Sequence, residues 1–159
     1  PISRNTTFYL QGSKLMYRRI GVTGTREGAN STQILSVIQF LETIEQLAEL
    51  HHGDCKGVDE EVAVAAGELG FKVICHPPED DYLRAFHKSD EFRKPAGYFE
   101  RDRAIVDSTD LLIVVPLQNT WQTRGGTWYT CSYAKKRCKP YVIFFPNGTV
   151  ETGNMPDDG

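Results

Sequence analysis

From Arg19 onward, short apolar runs alternate with amphipathic stretches, and glycine-bearing turns join them. Ile20-Gly21-Val22 leads through Thr23-Gly24-Thr25-Arg26-Glu27-Gly28 into Ile34, Val37, Ile38, Leu41, Ile44, Leu47 and Ala48, spaced by three and four. That spacing predicts one buried helical stripe after a short strand, with Ser31 as the residue that caps the helix. A weaker strand near Glu49 to His52 passes through Gly53-Asp54-Cys55-Lys56-Gly57 into a second helix from Val58 to Leu69, which Gly70 ends. Phe71 to Cys75 is the third strand, stopped by Pro77-Pro78.

Glu79 to Ala96 is polar and without apolar period, so it reads as a surface loop long enough to act as a lid. Tyr98 to Asp107 predicts a helix. Leu111 to Val115 is apolar throughout, as a strand in the middle of a parallel sheet must be. After a loop from Leu117 to Arg124, Gly125-Gly126-Thr127 opens a helix to about Arg137, and Tyr141 to Phe145 is the last strand.

Five strands alternating with helices predict a single α/β, Rossmann-like domain: a mainly parallel five-stranded sheet with helices on both faces. The domain covers residues 19–146. Residues 1–18 lack a period and read as a lead or an added strand; residues 147–159, rich in Gly, Asn, Pro and Asp, read as a loose tail. A chain of 159 residues suits one core.

Composition narrows the partners. A formal net charge of −3 and a pI of about 5.8 lack the basic footprint of a nucleic-acid-binding protein, so no nucleic acid is expected. Lys135-Lys136-Arg137 suits the last turn of a helix, where cations complement the dipole. Cys55, Cys75, Cys131 and Cys138 form no C-x-x-C pair and are expected as free thiols in a reducing, cytoplasmic compartment. No apolar run is long enough for a membrane span, and the sequence leaves homo-oligomerisation open.

In a parallel sheet, ligands bind beyond the carboxyl ends of the strands, where the crossover direction reverses. Three such ends carry glycine turns: Thr23 to Glu27, Gly53 to Asp59 and Arg124 to Thr127. At Gly125-Gly126-Thr127 the backbone can approach a phosphate while the helix offers its free N–H groups. Neither G-x-G-x-x-G nor G-x-x-x-x-G-K-[ST] is present, which argues against a dehydrogenase or a P-loop kinase, and no cofactor is expected. Arg101 and Arg103 diverge by about 200° around a helix, so at most one faces the site, and Arg101 is the choice. Neighbouring strand residues point to opposite faces, so His51 and His52 do not share a metal ion. Trp121, Trp128, Tyr129 and Tyr98 are candidates for stacking on a base; Trp121, on a loop, is the preferred one, and Trp128 suits the core.

V-T-G-T-R at Val22 to Arg26, H-H-G-D-C-K-G-V-D at His51 to Asp59, E-R-D-R-A-I-V-D-S-T-D at Glu100 to Asp110 and R-G-G-T-W at Arg124 to Trp128 together resemble the SLOG superfamily of Rossmann-like nucleotide-binding proteins. That superfamily includes phosphoribohydrolases once taken for lysine decarboxylases and DNA-processing recombination mediators. The resemblance covers about Arg19 to Phe145 and implies a first phosphate-facing turn at Thr23 to Arg26, a G-D-x-x-G-x-D turn at Gly53, Asp54, Gly57 and Asp59, an active-site arginine at Arg101, and a phosphate loop at Gly125 to Thr127. It also implies a departure: where the phosphoribohydrolases carry a catalytic glutamate, this chain has Thr130, which cannot serve as a carboxylate.

The expected function is therefore binding of a nucleotide or a nucleotide-derived, ribose-phosphate ligand by Thr23, Gly24, Thr25, Arg26, Gly53, Asp54, Gly57, Arg101, Trp121, Arg124, Gly125, Gly126 and Thr127. The alternative is an N-glycosidic hydrolase or transferase acting on nucleoside 5′-monophosphates. Its catalytic groups would be Arg101 with Asp54, Asp59 or Glu100.

Overall fold

The computed structural model describes residues 17–44 and 47–156. Among them, strands β1 (Arg19–Gly24), β2 (Glu49–His52), β3 (Lys72–Cys75), β4 (Glu91–Phe92), β5 (Leu111–Val115), β6 (Tyr141–Phe144) and β7 (Val150–Gly153) form one sheet in the order β4-β3-β2-β1-β5-β6-β7. Every pair is parallel except β6 with β7. Four helices connect them: α1 (Ser31–Glu42), α2 (Val58–Glu68), α3 (Tyr98–Asp107) and α4 (Gly126–Lys136). The α/β, mainly parallel reading holds. Among the described residues the strand count is seven rather than five.

The two additional strands escape a pattern search for different reasons. β4 is only two residues long, too short to alternate; Asp90 N–H to Val73 O (2.9 Å) and Arg93 N–H to Cys75 O (2.8 Å) hold it to β3. β7 lies in the stretch expected to be loose. There, Pro146-Asn147-Gly148 is hairpin chemistry rather than a tail signal: Gly148 takes φ +89°, Phe145 and Gly148 bond across the turn, and Val150 is buried. Residues 1–16 lie outside the described residues.

β1 and β5 lie side by side at the centre, as their apolar runs predict. Alternation sorts the core onto two faces. Ile20, Val22, Leu111, Ile113 and Val115 pack with Val37, Leu41, Val62 and Ala66 of α1 and α2. Leu112 and Val114 pack with Ile105 and Val106 of α3 and with Trp128, Cys131 and Ala134 of α4. The strand order reverses between β1 and β5, so the crevice beyond their carboxyl ends is the topological switch point.

α1 starts one residue earlier in its chemistry than expected. Asn30, not Ser31, is the cap: its side chain accepts from Gln33 N–H while the Gln33 side chain accepts from Asn30 N–H. The helix ends at Glu42, where Thr43 bonds back to the Phe40 carbonyl, so the apolar stripe stops at Ile44 and Leu47 stands 92% exposed.

Candidate functional site

At the switch point lies a cleft of about 430 Å³, within the range of small-ligand sites. Its first wall is the turn after β1. Thr25 N–H donates to the Val115 carbonyl at 3.0 Å, and the Thr25 carbonyl accepts from Val58 N–H at 3.1 Å, which pins the turn to the ends of β5 and α2. A side chain at Gly24 would overlap Val58, and one at Gly57 would stand 2.5 Å from the Arg26 carbonyl in a backbone whose φ is +90°. These glycines let two turns close on each other. Thr23, Arg26 and Glu27 line the cleft from this wall.

The second wall is the start of α4. Gly125 takes φ +105° as the residue before the helix and no side chain caps it; the first turn carries no acid. The first N–H groups of a helix have no intrahelical partner, and here they open on the cleft between Arg124, Gly126, Thr127 and Trp128. The contrast with α1, whose Asn30–Gln33 box closes its own end, is direct.

The floor is charged. Arg101, 4% exposed, donates from Nε to Asp102 Oδ1 at 2.7 Å and from Nη1 to the carbonyls of Gly53 and His76, while Nη2 lies 3.7 Å from Cys55 Sγ. Asp59 Oδ2 accepts from Gly53 N–H at 2.8 Å. Burial pushes the Asp59 carboxyl up to about 6 against the pull of Arg101, and burial likewise raises Asp102. Two carboxyls thus flank one guanidinium, and the floor can hold a proton near neutral pH. Cys55 also lines the cleft, but burial holds its thiol at about 11, which leaves no reactive thiolate. Tyr98 and Phe99 of α3 complete the rim, with the Arg26 guanidinium 5.7 Å from the Tyr98 ring centre.

With this geometry, the chain shares its fold with solved structures. A molybdenum cofactor binding protein from Rippkaea orientalis is 23% identical with a TM-score of 0.62, over 83% of this chain and 78% of that one. The molybdenum cofactor carrier protein of Chlamydomonas reinhardtii is 23% identical with a TM-score of 0.57, over 79% of this chain and 75% of that one. At such identities the likeness establishes the fold. No family model and no curated protein matches the chain.

Of the residues singled out from sequence, Thr23, Gly24, Thr25, Arg26, Asp59, Arg101, Arg124, Gly125, Gly126 and Thr127 come together around the cleft. Others lie elsewhere. Gly53 is buried against Arg101, and the half-buried Gly57 stands against the Thr25-Arg26 turn, so both shape the cleft without lining it. Asp54 is fully buried under the segment after β3: its carboxylate accepts from Arg84 Nε (2.8 Å) and His87 N–H (2.9 Å). Glu100 is exposed on the first turn of α3 and does not line the cleft. Trp121 donates to Glu151 and packs on Trp128 and Tyr141. Trp128 packs in the core while also lining the cleft, and Arg103 turns outward to the Tyr129 hydroxyl.

Tyr98, a stacking candidate, and Gln118, on the loop after β5, line the cleft, and Asp102 and Phe99 do so without having been expected there. Asp102 was legible in principle, since it follows Arg101 on the same helical turn. The Glu79–Ala96 segment does not line the cleft; it is stitched to the turn after β2 through Ala85 N–H to Asp54 O (2.8 Å) and Lys56 N–H to Leu83 O (3.0 Å).

His51 and His52 face opposite ways, as strand geometry requires. His51 Nδ1 meets His76 Nε2 at 2.8 Å, and His52 Nε2 meets Ser89 Oγ at 2.8 Å. Among the described residues, His52, Asp54 and Cys75 come close enough together to suggest a metal site. Their donors are already engaged: His52 Nδ1 accepts from Asp54 N–H, Asp54 holds Arg84 and His87, and burial pushes the Cys75 thiol up to about 12. This trio reads as the anchor of the overlying segment.

Proposed function

We propose that the cleft binds a phosphorylated small molecule carrying a nucleotide-like heterocycle, with the phosphate at Gly125 to Thr127 and the rest of the molecule over Arg101, Asp59 and Asp102. The observation that carries this reading is the uncapped, acid-free N-terminus of α4, which opens into the cleft between Arg124 and Arg26. Two proteins sharing the fold bind or carry the molybdenum cofactor, which supports a small-molecule ligand at this cleft. Asp54 and Trp121 are left out of the contact set, since their side chains are engaged elsewhere.

Titration calorimetry against 5′-AMP, 5′-GMP, ADP-ribose and the molybdenum cofactor, each beside an unphosphorylated counterpart, tests the reading. Phosphorylated members should bind and their counterparts should bind more weakly. No binding by any of them at millimolar concentration overturns it.

One feature favours a second reading, N-glycosidic cleavage of a nucleoside 5′-monophosphate by water to release free base and ribose 5-phosphate. A carboxyl pushed to about 6 and facing a cleft is suited to acid–base work. Thr130 is buried with its hydroxyl donated to the Gly126 carbonyl, so the acid would be Asp59 or Asp102. Chromatography for free base is the assay, and turnover that survives in both Asp59→Asn and Asp102→Asn removes this chemistry.

A further inference from the structure

The cleft has one feature that phosphate binding does not use. Phe99, on the first turn of α3, lines it while remaining 58% exposed. A large apolar ring at the mouth of a charged cleft is informative, because most of the other lining groups are polar, glycine or buried. The ring is also held in place. It packs on Tyr129 with centroids 4.5 Å apart at 53°, and the Tyr129 hydroxyl accepts from Arg103 Nη1 at 2.8 Å. Leu117, 49% exposed, supplies a second apolar side chain from the loop after β5.

We propose that Phe99, braced by Tyr129, is the stacking platform for the planar heterocycle of the ligand, and that Leu117 covers the other face of that ring. This inference rests on the phosphate reading above and adds the part of the ligand that the phosphate seat does not specify. Electrostatics sets the orientation. Asp59 and Asp102 crowd the floor with carboxyl oxygens, so the anionic end is directed to Arg124 and the start of α4, and the neutral ring is left for the rim. The spacing is compatible with one small ligand: Tyr129 N–H bonds the Gly125 carbonyl, which puts Phe99's brace one helical turn, about 5 Å, from the phosphate seat. Stacking on a ring face tolerates any planar heterocycle, so Phe99 selects for the class and not for one base.

The test compares 5′-AMP with ribose 5-phosphate, which share a phosphorylated ribose and differ in the heterocycle. In Phe99→Ala, affinity for 5′-AMP should fall roughly tenfold or more while that for ribose 5-phosphate changes by less than about twofold. Phe99→Trp should restore 5′-AMP binding, and the adenine proton resonances should shift upfield on binding to wild type but less so with Phe99→Ala. Equal change for both probes, or none for either, overturns the platform. So does a Phe99→Ala protein whose sedimentation mass changes while 5′-AMP affinity is kept, because the ring would then serve a contact between copies of the chain. Failure of wild type to bind either probe would instead count against the phosphate reading itself.

Discussion

Arg101 donates Nη1 to the Gly53 carbonyl, and a β-carbon at position 53 would lie 2.6 Å from that same nitrogen. The absent side chain is what lets a guanidinium tie the end of β2 to α3. Its Nε bond to Asp102 and its second Nη1 contact, to the His76 carbonyl, extend the tie to the end of β3. Arg101→Met keeps most of the volume and removes every one of these bonds. Unfolding in urea should show a loss of about 3 to 5 kcal/mol, as expected when one partner of a buried ion pair is removed. Arg101→Met/Asp102→Leu should recover part of it, since Asp102 is then no longer left without its partner while Asp59 keeps its bond from Gly53 N–H. A single variant within about 1 kcal/mol of wild type would mean that the pair is not holding the three elements together.

Asp54 and the segment above it stand in a similar relation. Asp54 adopts φ 59°, is fully buried, and receives Arg84 Nε, His87 N–H and, at its carbonyl, Ala85 N–H. Asp54→Ala should cost on the order of 3 kcal/mol and accelerate amide exchange across residues 81–87. Affinity for 5′-AMP should change by less than about twofold, because this carboxylate does not line the cleft. A large loss of ligand with unchanged exchange would return Asp54 to the binding site.

How much of this was legible beforehand depended on the kind of signal. β1 and β5 carry apolar runs long enough to declare themselves, and Gly24, Gly57 and Gly125 sit where backbones approach or φ turns positive, so the switch point could be read from residue types alone. Asp54 misled because a carboxylate in a glycine turn looks the same whether it faces a ligand or anchors Arg84 from 30 residues away. Trp121 misled for a related reason: its loop position did not disclose that Glu151, on an antiparallel strand hidden behind a Pro-Asn-Gly turn, would take its N–H. Side-chain partners set by long-range packing leave no local trace.

The buried histidines predict acid sensitivity. Burial first, then neighbouring charges, brings His52 and His76 down to about 3, against roughly 6.5 in the unfolded chain. Between those values the unfolded state binds more protons, so their stabilising contribution is complete above about pH 6.5 and is lost as the pH falls towards 3. Asp59 acts in the opposite sense: its folded value of about 6 lies above the unfolded one, so it loses stability as the pH rises from about 4 to 6. Burial also lowers His51 and raises Asp102, so three histidines stand against two carboxyls and stability should fall between pH 6 and 4. His76→Gln leaves two such histidines, His51 and His52, against Asp59 and Asp102, so the profile should flatten. Chemical denaturation at pH 4, 5, 6 and 7 checks this, and an acid slope unchanged by His76→Gln would mean that His76 does not titrate as its burial requires.

The sharpest separation of fold from function lies in two adjacent glycines. Gly125 takes φ +105°, so Gly125→Val should strain the entry into α4 and cost about 1 to 3 kcal/mol. Gly126 is the first helical residue, its φ is not positive, and no atom beyond its chain neighbours and the backbone of its own helix lies within 4 Å of where its β-carbon would stand. Gly126→Val therefore strains nothing, and its stability should stay within about 1 kcal/mol of wild type. Its side chain would nevertheless project into the space between Arg124 and Thr127, where the proposed phosphate meets the free N–H groups of α4. Hydrogen bonds to a charged group contribute roughly 1.5 to 3 kcal/mol, so 5′-AMP should bind Gly126→Val about ten- to a hundredfold more weakly. Adenosine, which has no phosphate to displace, should lose far less. Calorimetry with both compounds, on variants whose unfolding has been measured, checks each part. Equal losses for nucleotide and nucleoside, or an unaffected nucleotide, would show that the phosphate does not rest on the start of α4.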